Sequence, residues 1–236
     1  MDVVSAVCPA ITEGVRHFSH QLLLALLDPN HYNAASERTT EIAMSQKGHT
    51  DRPAFGIDID GVLSDVDVML DELAIQYTGK PWPREFAAAP SSTTELIPDH
   101  LLQQIFDEFH ESRIPLLSIL PGAREALEHL QTRYRLVLVT ARRATSETLT
   151  REWLLEHGIP FDALYHLENK CDVPEALSLA IDDHPRHIAR YLEQGIPCFV
   201  MDYPRNRQLE SHPQLTRVQS WPQVIQQLSV DTSPRY

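Results

Sequence analysis

In the stretch Ala54–Ser64, AFGIDIDGVLS, two aspartates, Asp58 and Asp60, interrupt an apolar run. Residues two apart on a strand share a face, so the two carboxylates sit side by side at the end of a buried segment. Such neighbours repel each other and lose hydration, which is costly unless a cation or a chemical task offsets it. Two more acids, Asp182 and Asp183, close another apolar segment, ALSLAID. Clustered carboxylate oxygens suit a hard cation, Mg²⁺ above all, which keeps several waters and binds through one or two carboxylates plus a substrate phosphate. An aspartate can also attack phosphorus to form an aspartyl-phosphate. A neighbouring aspartate can protonate the leaving oxygen and then deprotonate the attacking water. A hydroxyl and an ammonium would hold the equatorial oxygens and offset their charge. Thr140 and Lys170 are the candidates for those two parts.

The elements that must position these groups alternate between strand and helix. Ala54–Asp58 is the first expected strand, and Arg135–Thr140, RLVLVT, reads as a strand buried on both faces. Phe161–Leu167 is a weaker one, Ala176–Asp182 ends in a fourth, and Pro197–Met201 is the last expected. Helices are predicted over 122–133, 146–157, 185–194 and 221–229, the second and third stopping at Gly158 and Gly195. Asp183 is the expected N-cap of helix 185–194. Repeated strand–helix–strand units imply an α/β fold with a parallel sheet. In such a sheet the carboxyl ends of the strands form the ligand crevice. That edge collects Asp58, Asp60, Thr140, Ala141, Arg142, Lys170, Asp182 and Asp183.

Between Ser64 and Ser118 no strand is expected. Val66, Leu70, Leu73, Ala74 and Tyr77 form one helical stripe, and Leu101, Leu102, Ile105, Phe106 and Phe109 a second. The interval reads as a small helical insertion after the first strand. Residues 11–27 are expected to form a helix, followed by a polar linker over 28–50.

The chain has 236 residues, ordinary globular composition and a net charge of −13. That charge argues against a nucleic-acid or membrane-binding surface, though not against a small anionic substrate. Its longest N-terminal apolar run, Leu22–Leu27, is too short to span a bilayer. Three well-separated cysteines, with no CxxC, point to a reducing, cytoplasmic setting. Nothing in the sequence sets the oligomeric state.

Taken in order, Asp58-Ile-Asp-Gly-Val-Leu63, Val137-Leu-Val-Thr140, Lys170 and Ile181-Asp-Asp183 resemble the motif set of the haloacid dehalogenase-like phosphohydrolases. The resemblance covers roughly residues 54–210. Within that superfamily the chain is most similar to the 5′(3′)-deoxyribonucleotidase-type branch. The stretches that carry this likeness are DIDGVLSD, ILPGAREALEHL, YRLVLVTAR and GIPCFVMDYPRN. The resemblance implies a Rossmann-like core over 51–63 and 119–236, a helical cap over 64–118 and an N-terminal extension over 1–50. It makes Asp58 the nucleophile and Asp60 the general acid/base, with Thr140 on the phosphate and Lys170 stabilising charge. Mg²⁺ would lie on Asp58, the backbone carbonyl of Asp60, and Asp182, with Asp183 nearby. Gly61, Thr140, Ala141, Arg142 and Lys170 would line the substrate side. The expected substrate is a small phosphorylated metabolite, with a nucleoside monophosphate leading. A nucleic-acid-end phosphatase and a non-catalytic phosphate-binding or scaffold module are the alternatives.

Some residues carry two readings. Arg142 either reaches a substrate phosphate or pairs with an acid on the surface. Tyr77, Trp82 and Phe86 either stack on a base or fill the insertion's own core, the second being favoured. His184 and His187 have a ligand-like spacing, but the surrounding carboxylates suit Mg²⁺ better than zinc.

Overall fold

The structure is a computed structural model, and it describes residues 52–84 and 96–230. The expected N-terminal helix and linker, and Phe86, lie outside those residues. Six parallel strands form one sheet in the order β3-β2-β1-β4-β5-β6. They are β1 (Ala54–Ile57), β2 (Arg135–Thr140), β3 (Ala163–His166), β4 (Leu177–Asp182), β5 (Cys198–Met201) and β6 (Leu215–Val218). The order runs outward from β1 in both directions, so the winding reverses between β1 and β4. That switch point is where an open α/β sheet leaves a crevice beyond its carboxyl ends.

Register decides which residues meet there. Ile57 of β1 pairs with Leu138 of β2 and Ile181 of β4. Asp58, Thr140 and Asp182 therefore finish adjacent strands at nearly the same level. The central strands are buried on both faces, as their Val/Leu/Ile content requires. A Cβ at Gly56 would lie 2.6 Å from Leu177 Cδ1, so any larger residue there would have to push that side chain aside.

Helices α1 (Val66–Thr78) and α2 (Asp99–Glu108) follow β1, and α2 runs on through a π-helical turn (Phe109–Arg113) and a 3-10 turn (Ile114–Leu116). The remaining helices are α3 (Ala123–Leu130), α4 (Glu147–Glu156), α5 (Pro185–Glu193) and α6 (Trp221–Val230). In α3 the buried residues Ala123, Ala126, Leu127 and Leu130 form the predicted stripe. Trp82 is buried and meets Phe106 edge-on, with centroids 6.0 Å apart, so it belongs to the insertion's core.

The two connectors of the insertion are bound to each other. Asp65 N donates to Ser118 O at 2.8 Å, and Leu120 N donates to Leu63 O at 2.7 Å. Two buried tryptophans fasten the same connectors to the core. Trp221 Nε1 donates to Val62 O at 2.7 Å, and Trp153 Nε1 donates to Leu117 O at 2.8 Å.

Three expectations need correction. The strand pattern stops at Met201 and does not predict β6, a four-residue edge strand, LTRV, whose first three residues are incompletely buried. Phe161 and Asp162 precede the third strand rather than joining it. The N-cap of α5 is His184, whose ring accepts from Arg186 N at 3.2 Å, because the side chain of Asp183 is engaged elsewhere.

Candidate active site

The acids at the strand ends form one buried group. Asp58, Asp182 and Asp183 each offer an oxygen within 4.8 Å of the others. Asp58 leaves β1 just where the chain stops pairing, and its Oδ1 accepts from Ile59 N at 2.7 Å. Asp182 Oδ1 accepts from the amides of Asp183 and His184, each at 2.9 Å. These local bonds orient the carboxylates before any ligand is present.

Lys170 lies on a 3-10 turn (Lys170–Asp172) and is 2% exposed. Its Nζ is 2.7 Å from Asp58 Oδ1 and 2.8 Å from Asp182 Oδ2. Burial alone would lower the ammonium's pKa, but the two acids outweigh it and hold it above its ordinary value. Burial raises the Asp182 carboxyl, and the Lys170 charge reverses this to leave it below its ordinary range. Asp58 goes the other way. Burial lifts it well above the usual carboxylate value, Lys170 opposes, and Asp182 and Asp183 add repulsion. Asp183 is pushed up to about 6 by burial, against the pull of Arg205 and with a further push from Asp182.

Three buried carboxylates thus face Lys170 and Arg205, and two of the three resist ionisation. A site of that kind is short of positive charge. Its donors are all oxygen, which fits a hard divalent cation and not a soft one. His187, although buried, has its ring pushed down to about 3, first by burial and then by Lys170, and its Nδ1 has no partner among the described residues. Its ring lies 5.2 Å from that of His184, so the two histidines pack against each other.

Asp60 sits apart from the triad. Its carboxylate takes both arms of Arg142, from Nε at 2.8 Å and Nη2 at 2.6 Å, and also the hydroxyl of Ser64 at 2.9 Å. The Asp60 side chain is 24% exposed, whereas that of Arg142 is 1% exposed. Burial raises the Asp60 carboxyl, but the guanidinium's charge and hydrogen bonds more than offset this and hold it below its ordinary value. Of the two readings of Arg142, the structure realises the acid partner, and it lies within the crevice. Thr140 is buried and its Oγ1 accepts from Arg142 N at 3.1 Å, while Ala141 is exposed beside it. Gly61 turns the chain with φ +77°, and a Cβ there would lie 2.7 Å from Asp183 Oδ2. Only glycine meets both conditions comfortably.

Sequence reasoning brought all these residues to one edge but missed Arg205. Its Nε donates to Asp183 Oδ2 at 2.5 Å, and its Nη1 donates to both oxygens of Asp67 at 2.7 and 3.0 Å. The signal was present in the stretch GIPCFVMDYPRN, where an arginine follows the strand that neighbours β4.

Several known proteins are similar to this chain. A "Putative 5′(3′)-deoxyribonucleotidase" of Chlorobaculum tepidum is 25% identical over 186 residues, covering 72% of this chain and 87% of that protein. Among solved structures, a haloacid dehalogenase-like hydrolase of Streptococcus pneumoniae superposes with a TM-score of 0.56 at 17% identity, covering 76% of this chain and 99% of the other. CbbY of Rhodobacter sphaeroides, solved with phosphate, gives 0.53 at 13% identity, covering 73% and 96%. Residues 52–232 match the family described as "5′ nucleotidase, deoxy (Pyrimidine), cytosolic type C protein". The chain therefore belongs to that nucleotidase family.

Proposed function

We propose that this chain is a Mg²⁺-dependent phosphomonoesterase that works through an aspartyl-phosphate and acts on a nucleoside monophosphate. One observation carries the reading: Asp58, at the end of the central strand, shares a buried cluster with Asp182, Asp183 and Lys170. Asp58 is the nucleophile, its carboxylate fixed on one oxygen by Ile59 N and Lys170. Asp58, Asp182 and Asp183, with the backbone carbonyl of Asp60, would hold Mg²⁺, which when bound supplies charge stabilisation to the phosphoryl oxygens. Lys170, the Thr140 hydroxyl and the amide of Ala141 bind the equatorial oxygens of the phosphate, and Gly61 lets the backbone approach them.

Asp60 is the general acid and base. Paired with Arg142 it is an anion, the form needed to take a proton from the attacking water. Donating a proton to the leaving oxygen first requires that the Arg142 contact open as substrate enters. The helical insertion is the cap, and it excludes bulk water while the aspartyl-phosphate forms. The family and the curated relative's name support a nucleotide substrate.

The test is phosphate release from p-nitrophenyl phosphate and from a panel of deoxynucleoside monophosphates with Mg²⁺. Wild type should act on both, and Asp58→Asn should lose about three orders of magnitude or more in kcat. Equal rates in the two proteins would refute the mechanism.

A further inference from the structure

Arg205 performs no step in this reaction scheme, yet it is among the most constrained cations in the molecule. It lies in a 3-10 turn (Pro204–Asn206) beyond β5, and its side chain is 9% exposed. One arm of its fork holds Asp183, a member of the acid triad. The other holds Asp67, in the first turn of α1. The guanidinium is boxed on its remaining sides. Its Cζ lies 4.1 Å from the centroid of the Tyr203 ring. Its Nη2, which has no partner among the described residues, would be 2.9 Å from a Cβ at Gly61. Asn206 pins the same turn from below, its Nδ2 donating to Asp183 O at 2.9 Å and Met201 O at 2.7 Å.

A planar guanidinium joins two carboxylates at a fixed distance, which one ammonium on a flexible stem cannot do. We infer that Arg205 is a positioning residue: it is a strut from Asp67 of the insertion to Asp183 of the core, and it sets the Asp183 carboxylate for cation binding. One oxygen of Asp183 is taken by the strut, which leaves the other for the cation. Groups that orient a metal ligand from behind commonly change metal affinity by about 10–100-fold when altered. The inference rests on the reading of the acid triad as the cation site.

Charge and positioning predict different outcomes at residue 205. If charge alone mattered, Arg205→Lys would behave as wild type. If the span matters, Arg205→Lys fails despite keeping the charge, and Asp67→Asn fails in the same way from the other end. Titration calorimetry of Mg²⁺ into the full chain, with thermal melts to verify folding, separates them. Wild type should bind, and each variant should bind about tenfold more weakly or worse. The double variant should be little weaker than either single one, because both cut the same strut. Excess Mg²⁺ should return kcat of the variants toward wild type, a rescue that general damage to the fold would not allow. Binding by either variant within twofold of wild type, or additive losses in the double variant, would overturn the inference. Failure of wild type itself to take up Mg²⁺ or Mn²⁺ would remove the reading of the triad, and the inference with it.

Discussion

Replacing Lys170 by methionine keeps most of the side chain's bulk and removes its charge. The ammonium is 2.7 Å from Asp58 and 2.8 Å from Asp182, and all three groups are buried. Breaking a buried ion pair by removing one partner costs about 3–5 kcal/mol, because the other charge is left without compensation. Here one ammonium serves two acids, so the upper half of that range applies at pH 7. For a domain of this size, about 4–5 kcal/mol corresponds to a fall of roughly 8–20 °C in Tm. The cost has a pH signature. Without Lys170 the folded-state pKa of Asp58 rises further and Asp182 loses the charge that holds it down, so the folded variant binds protons that its unfolded chain releases. Stability of the variant relative to wild type therefore improves as pH falls, and the deficit should be smaller at pH 5 than at pH 7. Urea unfolding of both proteins at the two pH values, with chelator present, measures it. A deficit below about 1 kcal/mol at pH 7, or one unchanged at pH 5, would refute the account of Lys170 as counter-ion to two ionised or ionisable acids.

Two further outcomes follow from single residues. Gly61→Ala should destabilise the protein by at least about 1–2 kcal/mol, the left-handed backbone penalty alone, and should weaken Mg²⁺ binding by displacing the Asp183 carboxylate 2.7 Å from the new Cβ; calorimetry and a melt check both. His187 takes a proton near 6.5 when unfolded but only near 3 when folded, so it destabilises the fold as pH drops through that window, by up to about 1.4 kcal/mol per pH unit. His187→Leu should flatten the acid side of the stability profile in chelator-treated protein, and an unchanged slope would contradict the burial of a neutral ring.

Much of this was legible because the central strands announce themselves. β1, β2 and the second half of β4 are buried on both faces, so their apolar runs are nearly continuous, and any polar residue at their ends stands out. The acids of the triad, Thr140 and the order of the motifs could be read for that reason. The two helices of the insertion were readable from periodic apolar residues. β6 was not, since a four-residue edge strand with Thr216 and Arg217 has neither length nor a buried run to mark it. The strut at Arg205 was invisible for a different reason. Asp67 and Arg205 are 138 residues apart, and each looks like an ordinary surface charge until the fold brings them together. Pairing among charged groups depends on three-dimensional distance, which no spacing pattern encodes. The same holds for Arg142, whose two readings were chemically equal until the register of β1 and β2 placed it against Asp60.

The paired connectors beneath the insertion have an evolutionary consequence. Val62–Asp65 and Leu117–Leu120 enter and leave side by side, stitched together and anchored by Trp221 and Trp153. From the sheet's side, everything between them hangs from a closed stem. A lineage can lengthen, shorten or exchange that segment without touching a single ladder of the sheet or the ends of β1, β2 and β4. The Asp67–Arg205 contact is one of the places where a changed segment would still have to agree with the core.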